Sequence, residues 1–77
     1  MELNIKYFGI LAEVTQCNQE TFVFKKQTIS ELITDLCSKY PQLKGKEFQV
    51  AQNQKIVTQK SIVSEGEIAL LPPFSGG

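Results

Sequence analysis

The sequence has no histidine, no arginine and no tryptophan among its 77 residues. Without histidine there is no imidazole base, so Ser-His and Cys-His catalytic arrangements are excluded. Without arginine there is no guanidinium fork for phosphate or guanine, and the eight lysines only balance eight acidic residues. Nucleic-acid-binding proteins usually carry a basic excess, so the sequence disfavours that class.

Cysteine is also scarce, because Cys17 and Cys37 are the only two and fit no CxxC pattern. Two cysteines do not make the disulfide framework of a small secreted domain, and without histidine a zinc site lacks ligands. The glycines are scattered, so there is no glycine-rich phosphate loop. The opening segment "MELNIKYFGI" has no long apolar run. We therefore expect a cytoplasmic protein that binds no metal, nucleic acid or membrane.

The length predicts a single domain over residues 1–77. A chain this short buries roughly 60% of the surface of its unfolded state, which leaves a thin stability margin. It has no room for both a core and a deep catalytic cleft. The length thus favours a carrier, an adaptor or a binding module over an enzyme.

The first half of the chain shows two strand patterns around a short helical turn. Leu3, Ile5 and Tyr7 alternate with polar residues, which indicates a half-buried strand, and Phe8 falls on the polar face, out of pattern. The segment "GILAEV" is interpreted as the short helical turn and "ETFVFKK" as the second strand.

The segment "TISELITDLCSKYP" predicts the main helix. Its apolar residues recur at helical spacing, at positions 29, 32, 33, 36, 37 and 40. Thr28 and Glu31 form a capping box, and Pro41 ends the helix. Cys37 belongs to the apolar face, so we interpret it as a small buried hydrophobic residue.

The second half predicts a hairpin, a short helical turn and a last strand. The segment "EFQVAQNQKIVTQ" gives two strands around positions 52–54, with Asn53 suited to a positive φ. The segment "KSIVSEGE" is interpreted as a short turn of helix followed by a turn at Gly66, with Glu65 and Glu67 as solvated turn residues. The strand "EIALLP" is apolar on both faces, which places it inside the sheet.

Together these elements predict an α+β fold, a mixed sheet packed on one main helix, with the last strand beside the first. The chain then ends in two prolines and a diglycine. Pro72 and Pro73 cannot continue a strand ladder, so we expect residues 72–77 to form a flexible tail. Gly76 and Gly77 make a thread slim enough for a narrow partner site. The reactive group would be the carboxylate of Gly77, activated by ATP on a partner enzyme.

The sequence resembles the small, sulfur-carrying subunit of molybdopterin synthase, a ubiquitin-like β-grasp family. The resemblance spans nearly the whole chain. It rests on "YFGILAEV", "TISELITDLCSKYPQL", "VAQNQKIV" and, most specifically, the ending "LLPPFSGG". It implies a single ubiquitin-like β-grasp domain that carries sulfur.

The resemblance also implies a mechanism in which this chain is the non-catalytic subunit. A ubiquitin-activating-like adenylyltransferase would adenylate Gly77 with ATP, and a sulfur donor would convert it to a thiocarboxylate. Gly76 and Ser75 would insert with it into the large subunit of molybdopterin synthase. That subunit would supply the catalytic residues that pass sulfur to precursor Z, in a heterotetramer. The chain itself would bind no cofactor.

The family also docks through apolar residues near the tail, which implies partner-binding roles for Phe8, Leu71, Pro73 and Phe74. The other interpretation of Phe8 is a side chain covered by the chain's own loops. Two departures stand out: Ala12 replaces a frequent arginine, and the turn in "SEGEIAL" is one residue shorter. Both bear on partner affinity.

Three other functions remain open from the sequence. One is sulfur carriage for thiamine synthesis or tRNA thiolation, because those carriers share the fold and the diglycine. Another is a ubiquitin-like protein modifier that forms isopeptide bonds. The last is an interaction domain in which the diglycine is incidental. The ending "LPPFSGG" favours molybdopterin synthesis.

Overall fold

The structure is a computed structural model that describes residues 1–73. The strands are β1 (Glu2–Tyr7), β2 (Gln19–Val23), β3 (Gln49–Gln52), β4 (Lys55–Val57) and β5 (Gly66–Leu71). The helices are α1 (Ile10–Thr15), α2 (Ile29–Lys39) and a 3₁₀ helix (Pro41–Gly45).

The five strands form one mixed sheet in the order β2-β1-β5-β3-β4. Strand β5 runs parallel to β1, with Ile5 opposite Ile68, and every other pairing is antiparallel. The prediction that the last strand lies inside the sheet beside the first is therefore confirmed. The first and last strands of the chain share the sheet's centre.

One hydrophobic core lies between the sheet and the helices. Alternate residues of β1 point into it, as the sequence predicts, and α2 contributes Ile29, Leu32 and Leu36 from one face. Ile68 and Leu70 of β5 are both 0% exposed. Each buried side chain of this size stabilises the fold by roughly 1.5–3 kcal/mol. The central strand is thus the best anchored part of the sheet.

The predicted capping box begins helix α2. Glu31 N–H donates to Thr28 Oγ1 at 3.2 Å, and Thr28 N–H donates back to Glu31 Oε1 at 3.0 Å. The backbone hydrogen bond from Thr28, followed by one from Gln27, lowers the pKa of the Glu31 carboxyl. The helix ends at Lys39, before Pro41, also as predicted.

The predicted helical turn in "KSIVSEGE" is wrong. Ser61 N–H donates to Thr58 O at 3.1 Å in a single turn, and no helix follows within this segment. The backbone is instead bonded to the start of α2, where Ile29 N–H donates to Ser61 O and Val63 N–H donates to Gln27 O. These long-range bonds occupy the groups that a local helix would need.

Three smaller differences concern boundaries and burial. Strand β2 begins and ends earlier than the predicted "ETFVFKK", and Phe24 is buried just beyond its end. The 3₁₀ helix after α2 was not predicted, and it buries Leu43. Cys37 is half-buried against the core and not fully buried, while Cys17 is half-buried too, and both are free thiols.

Two more local predictions are confirmed, whereas the predicted turn at Gly66 is wrong, because Gly66 is the first residue of β5. The segment "GILAEV" begins the short helix α1, which connects the antiparallel pair β1 and β2. The hairpin β3–β4 turns through Asn53 and Gln54, whose φ angles are 50° and 73°. A pair of positive φ angles at a two-residue turn matches the twist of a hairpin.

Candidate functional site

The predicted tail begins where β5 leaves the sheet. Phe8 N–H donates to Leu70 O at 3.2 Å, which extends the parallel pairing of β1 and β5 by one bond. Leu71 is the last residue of the strand and lies opposite Gln49. Pro72 follows half-buried and Pro73 exposed. Because a proline nitrogen has no hydrogen to donate, the ladder stops here.

Gly9 packs against Pro72, the first residue after β5. Its φ of 57° and ψ of −133° belong to a region that side chains rarely adopt. An ideal Cβ placed on Gly9 would lie 3.1 Å from Pro72 Cγ, closer than ordinary van der Waals contact. Gly9 therefore allows the proline ring to pack directly on the backbone between β1 and α1.

The sheet surface that faces away from the helices carries apolar side chains near this exit. We call it the open face and define it by Phe8, Ala51, Ile56, Ala69 and Leu71. Ala69 lies opposite Ala51, which in turn lies opposite Ile56. Phe8 is 46% exposed and Ile56 58% exposed, so the described residues leave much of both side chains uncovered. Ala51 and Ala69 between them are only 7% and 8% exposed, so the exposed apolar area lies mainly at Phe8 and Ile56. Exposed large apolar side chains are candidates for an interaction surface.

The described residues leave Phe8 46% exposed, which favours the docking interpretation over full cover by the chain's own loops. Its backbone N–H bonds Leu70 O, so the residue lies beside the strand end that leads to the tail. Its role in partner binding stays a prediction. Leu71 and Pro73 lie at the same end of the sheet, so the structure brings three of the four predicted docking residues together.

An open depression of about 520 Å³ borders Phe8. Ala12 contributes to its wall at the position where the resemblance expects an arginine. A methyl group is smaller than an arginine side chain and adds no charge to this wall. Its lining residues are Lys6, Tyr7, Phe8, Gly9, Ala12, Asn18 and Gln19.

A charged pair lies next to the open face. Lys6 Nζ is 2.9 Å from Glu67 Oε1, and both side chains are about one third exposed. Exposed pairs of this kind contribute about 0–1 kcal/mol. Glu67 was predicted to be a solvated turn residue, but it lies in β5 and is half-buried, whereas Glu65 is exposed as expected.

The start of β5 is fastened by Asn53. Glu67 N–H donates to Asn53 Oδ1 at 3.0 Å, and Asn53 Nδ2 donates to Glu65 O at 3.5 Å. Gly66 lies between these two partners with φ 131°, and a Cβ there would lie 2.4 Å from Asn53 Oδ1. Gly66 is thus required both for its backbone conformation and for space.

A second polar cluster joins β2 to α2 on the helix side of the sheet. Glu20 Oε2 accepts hydrogen bonds from Tyr7 OH at 2.6 Å and from Tyr40 OH at 2.7 Å, while Lys39 Nζ bonds Glu20 Oε1. The rings of Tyr7 and Tyr40 meet edge to face, with centroids 6.0 Å apart. Cys17 Sγ lies 3.9 Å from Tyr40 OH.

The cluster shifts the pKa values of its members. Desolvation by itself would raise the pKa of Glu20, but the hydrogen bonds from Lys39, Tyr7 and Tyr40 outweigh it and lower that pKa. Burial, followed by the hydrogen bond to Glu20, raises the pKa of both tyrosines. Because every polar atom here is paired within the chain, we interpret the cluster as structural.

The residues predicted to carry the chemistry lie outside the part of the chain that the structure describes. They are Phe74, Ser75, Gly76 and Gly77. Within residues 1–73 no group of three or more metal-ligating side chains is placed to hold an ion. No helix in the same range is long and apolar enough to cross a membrane.

Sequence reasoning missed two parts of the site. Ala51, Ile56 and Ala69 join the open face through strand register, which a single strand pattern does not contain. Gly9 was noted only as a scattered glycine. Its position directly after an alternating strand and before a helix is the signal that would have indicated a special backbone conformation.

Solved structures of other proteins share this fold. One is described as molybdopterin converting factor, subunit 1, from Pyrococcus furiosus, with TM-score 0.88 and 15% identity, covering 96% of this chain and 99% of that one. SAMP1 from Haloferax volcanii gives TM-score 0.83 and 24% identity, with both chains fully covered. Small archaeal modifier protein 1 (SAMP1) from Methanosarcina acetivorans gives 0.78 and 24%, covering 99% of this chain and 96% of that one.

These likenesses confirm the predicted ubiquitin-like β-grasp fold. Family assignment comes from the sequence itself. Residues 5–77 match the model of the ThiS family, so the match begins in β1 and runs to the terminal diglycine. The chain therefore belongs to the ThiS family of ubiquitin-like sulfur carriers.

Proposed function

We propose that this chain is the sulfur-carrier subunit of molybdopterin synthase. The observation that carries the proposal is the family match through residue 77, which includes Gly76 and Gly77 in the ending "LLPPFSGG". One solved structure with this fold is described as molybdopterin converting factor, subunit 1, and the ending "LPPFSGG" is what favours this pathway over the other sulfur pathways.

The geometry of the described residues supports a carrier. Strand β5 is anchored in the centre of the sheet and ends beside Phe8, so whatever follows Pro73 starts from a fixed point. On the open face, Phe8 lies beside that point and is 46% exposed. A partner that binds there through Phe8, Leu71, Pro73 and Phe74 would hold the start of the tail next to the partner's active site.

The chemistry resides in the terminal carboxylate of Gly77. One carboxylate oxygen attacks the α-phosphate of ATP, pyrophosphate leaves, and an acyl-adenylate forms. Hydrosulfide, supplied by a sulfur donor, then attacks the acyl carbon, the bond from that carbon to the AMP oxygen breaks, and loss of AMP and a proton gives the thiocarboxylate. ATP and the donor are held by an adenylyltransferase similar to those that activate ubiquitin, because this chain carries no phosphate-binding loop.

The second step takes place on the large subunit of the synthase. Gly76 and Ser75 thread into it behind Gly77, and its own catalytic residues direct the sulfur onto precursor Z. The complex is a heterotetramer of two small and two large subunits in the cytoplasm. In this scheme the chain contributes the reacting group and brings it into the active site of the large subunit.

Deletion of Gly77 tests the proposal. Chain purified from native cells should show the mass change of one oxygen replaced by sulfur, and the deleted chain should not. Reconstituted precursor Z conversion should be lost while the free energy of unfolding stays unchanged. Gly45→Ala is the matched control, because a Cβ at Gly45 meets nothing within 4 Å. Undiminished conversion by the deleted chain would overturn the proposal.

Replacement of the thiols separates the terminal carboxylate from cysteine chemistry. Cys17→Ser and Cys37→Ser should both keep the thiocarboxylate mass and the transfer of sulfur. Both thiols are half-buried against the core, so folding is checked alongside by circular dichroism. A folded cysteine variant that no longer transfers sulfur would assign the carrier role to that thiol instead.

A second candidate is a protein modifier, favoured by the likeness to structures described as small archaeal modifier protein 1. Such a modifier would use the same acyl-adenylate but pass the acyl group to a lysine amine. Immunoblots of native cells would then show ladders of higher-mass conjugates that depend on Gly77. Only the thiocarboxylate mass, without ladders, is expected for the sulfur carrier.

A further inference from the structure

We infer that Gly9 is a positioning residue for the C-terminal tail: its bare backbone is the seat on which Pro72 rests, and that seat sets the direction in which the tail leaves the sheet. The inference rests on the proposed function, because it concerns how the terminal carboxylate is presented to a partner. Neither the sequence pattern nor the family match assigns a role to this glycine.

The contact itself is close and involves the proline ring. An ideal Cβ on Gly9 would lie 3.1 Å from Pro72 Cγ, 3.8 Å from Cδ and 3.9 Å from Cβ. All three carbons belong to the ring, so the ring lies over the glycine. An added methyl group would have to lift it.

The seat cannot move away from such a methyl group. On one side, Phe8 N–H donates to Leu70 O, which ties the seat to β5 itself. On the other side, Ala12 N–H donates to Gly9 O at 3.1 Å in the first turn of α1. The backbone of Gly9 is thus fixed from both directions.

The ring cannot easily move either. Leu70 is 0% exposed in the core, and Pro72 follows it by only two residues. Because the φ of proline is fixed, the ring can yield to a methyl group only through a change in ψ of Leu71 or in ring pucker. The strain of a methyl group at position 9 therefore falls on the direction of the chain after Pro72.

A change of direction at this point affects the reacting atom. Five residues follow Pro72, and a segment of that length can reach at most roughly 17 Å. The position and direction of the chain at Pro72 therefore set which partner groups the carboxylate of Gly77 can reach. Misplacement of a reacting group by about 1 Å can cost on the order of 100-fold in rate.

The test is a double-mutant cycle of Gly9→Ala and Pro72→Ala, read out by adenylate formation with the activating enzyme. Gly9→Ala should lower kcat by about ten-fold or more, since the carboxylate is misplaced. Its KM should change by less than about three-fold, because the open face is left intact. In the Pro72→Ala background, which lacks Cγ and Cδ, the same substitution should lower kcat less.

Gly66→Ala is the comparator that carries backbone strain without the contact to the tail. It introduces a Cβ at φ 131° against Asn53, at the opposite end of β5. With both variants assayed where they are folded, Gly66→Ala should leave kcat and KM unchanged. An equal loss of kcat for both variants, or an equal effect of Gly9→Ala with and without the Pro72 ring, would overturn the inference.

Two outcomes keep the inference separate from the proposed function. Failure of the wild-type chain to form an adenylate that depends on Gly77 would refute the proposed function and, with it, the basis of this inference. If Gly9→Ala does not fold, Pro72→Ala alone decides. A lower kcat with an unchanged free energy of unfolding supports the seat, and an unchanged kcat refutes it.

Discussion

The two ends of strand β5 are held in opposite ways. At its start, Asn53 pairs with the backbone on both sides of Gly66, and these polar groups are satisfied within the chain. At its end, the ladder stops at Leu71, Pro72 contacts Gly9, and Phe8 is 46% exposed. One end is closed by hydrogen bonds, and the other is left with apolar surface.

Because the two ends differ in this way, we expect the start of β5 to contribute to stability and its end to contribute to function. At the closed end the polar groups that hold the strand are paired with one another, so they are not free to bind a partner. An open apolar end gains free energy only when another surface covers it. Changes at the start of β5 should therefore alter folding, and changes at its end should alter partner binding and transfer.

The largest effect is expected from Ile68→Ala, which removes the anchor between the two ends. Ile68 is 0% exposed, and loss of a buried isoleucine side chain costs about 2–5 kcal/mol. Urea denaturation followed by circular dichroism measures this cost. The variant should destabilise both ends of β5 together. Sulfur transfer should be lost only in proportion to the unfolded fraction. Loss of transfer from fully folded protein would contradict the separation.

The next effect is expected from Gly66→Ala at the closed end. A side chain at φ 131° that meets Asn53 should lower the free energy of unfolding by about 1–3 kcal/mol. Gly45→Ala, with open space around its Cβ, should change it by less than about 0.5 kcal/mol. Equal costs for the two variants would show that the closed end is not strained by a side chain.

A smaller effect is expected from Glu20→Gln, which weakens the polar cluster on the other side of the sheet. Loss of the charge-assisted hydrogen bonds from Lys39 and the tyrosines should cost about 1–2 kcal/mol at pH 7. The variant provides a destabilised protein in which neither end of β5 has been altered. The sulfur transfer per folded molecule of this variant should equal that of the wild type.

The acid dependence of this cost follows from the lowered pKa of Glu20. A lowered pKa in the folded state means that the stabilisation is present above the unfolded value of about 4.3. It is lost as the pH falls through the lower folded value. The difference between wild type and Glu20→Gln should therefore shrink below about pH 4. A difference that is constant from pH 7 to strong acid would show that the charge contributes nothing.

The smallest effect on stability, with a large one on binding, is expected from Phe8→Ala at the open end. Its side chain is 46% exposed, so the free energy of unfolding should change by less than about 0.5 kcal/mol. Affinity for the proposed partner, the synthase large subunit, should fall by about ten-fold or more, as at an interface hot spot. Calorimetric titration of folded protein measures it.

Ile62→Ala is the matched control for this substitution. Ile62 is 64% exposed and pairs with Thr28 at the start of α2, away from the open face. Its replacement should leave affinity unchanged. A comparable loss of affinity from Ile62→Ala would mean that exposed apolar area in general, and not the open end of β5, attracts the partner.

Local patterns in the sequence predicted most of the elements. The alternation of Leu3, Ile5 and Tyr7 and the capping box at Thr28 depend on nearby residues only, and both are confirmed. The segment after Thr58 was predicted wrongly, because its backbone bonds go to Gln27 and Ile29. Such partners are distant in sequence, and local propensity carries no information about them.

The site was predictable to a similar degree. Phe8 was singled out because it breaks the alternation of β1, and its exposure agrees. Ala51 and Ile56 were not singled out, since they join the open face through the register of three strands. Gly9 was missed because its importance lies in a contact with Pro72, 63 positions later in the chain.

The central position of β5 has a consequence for synthesis. Until this strand emerges from the ribosome, β1–β2 and β3–β4 are two separate antiparallel pairs, and such pairs are marginal alone. The nascent chain therefore closes its core only when its final segment is present. A chain truncated before Gly66 would stay unfolded and be degraded, so it would not compete for partners as an empty carrier.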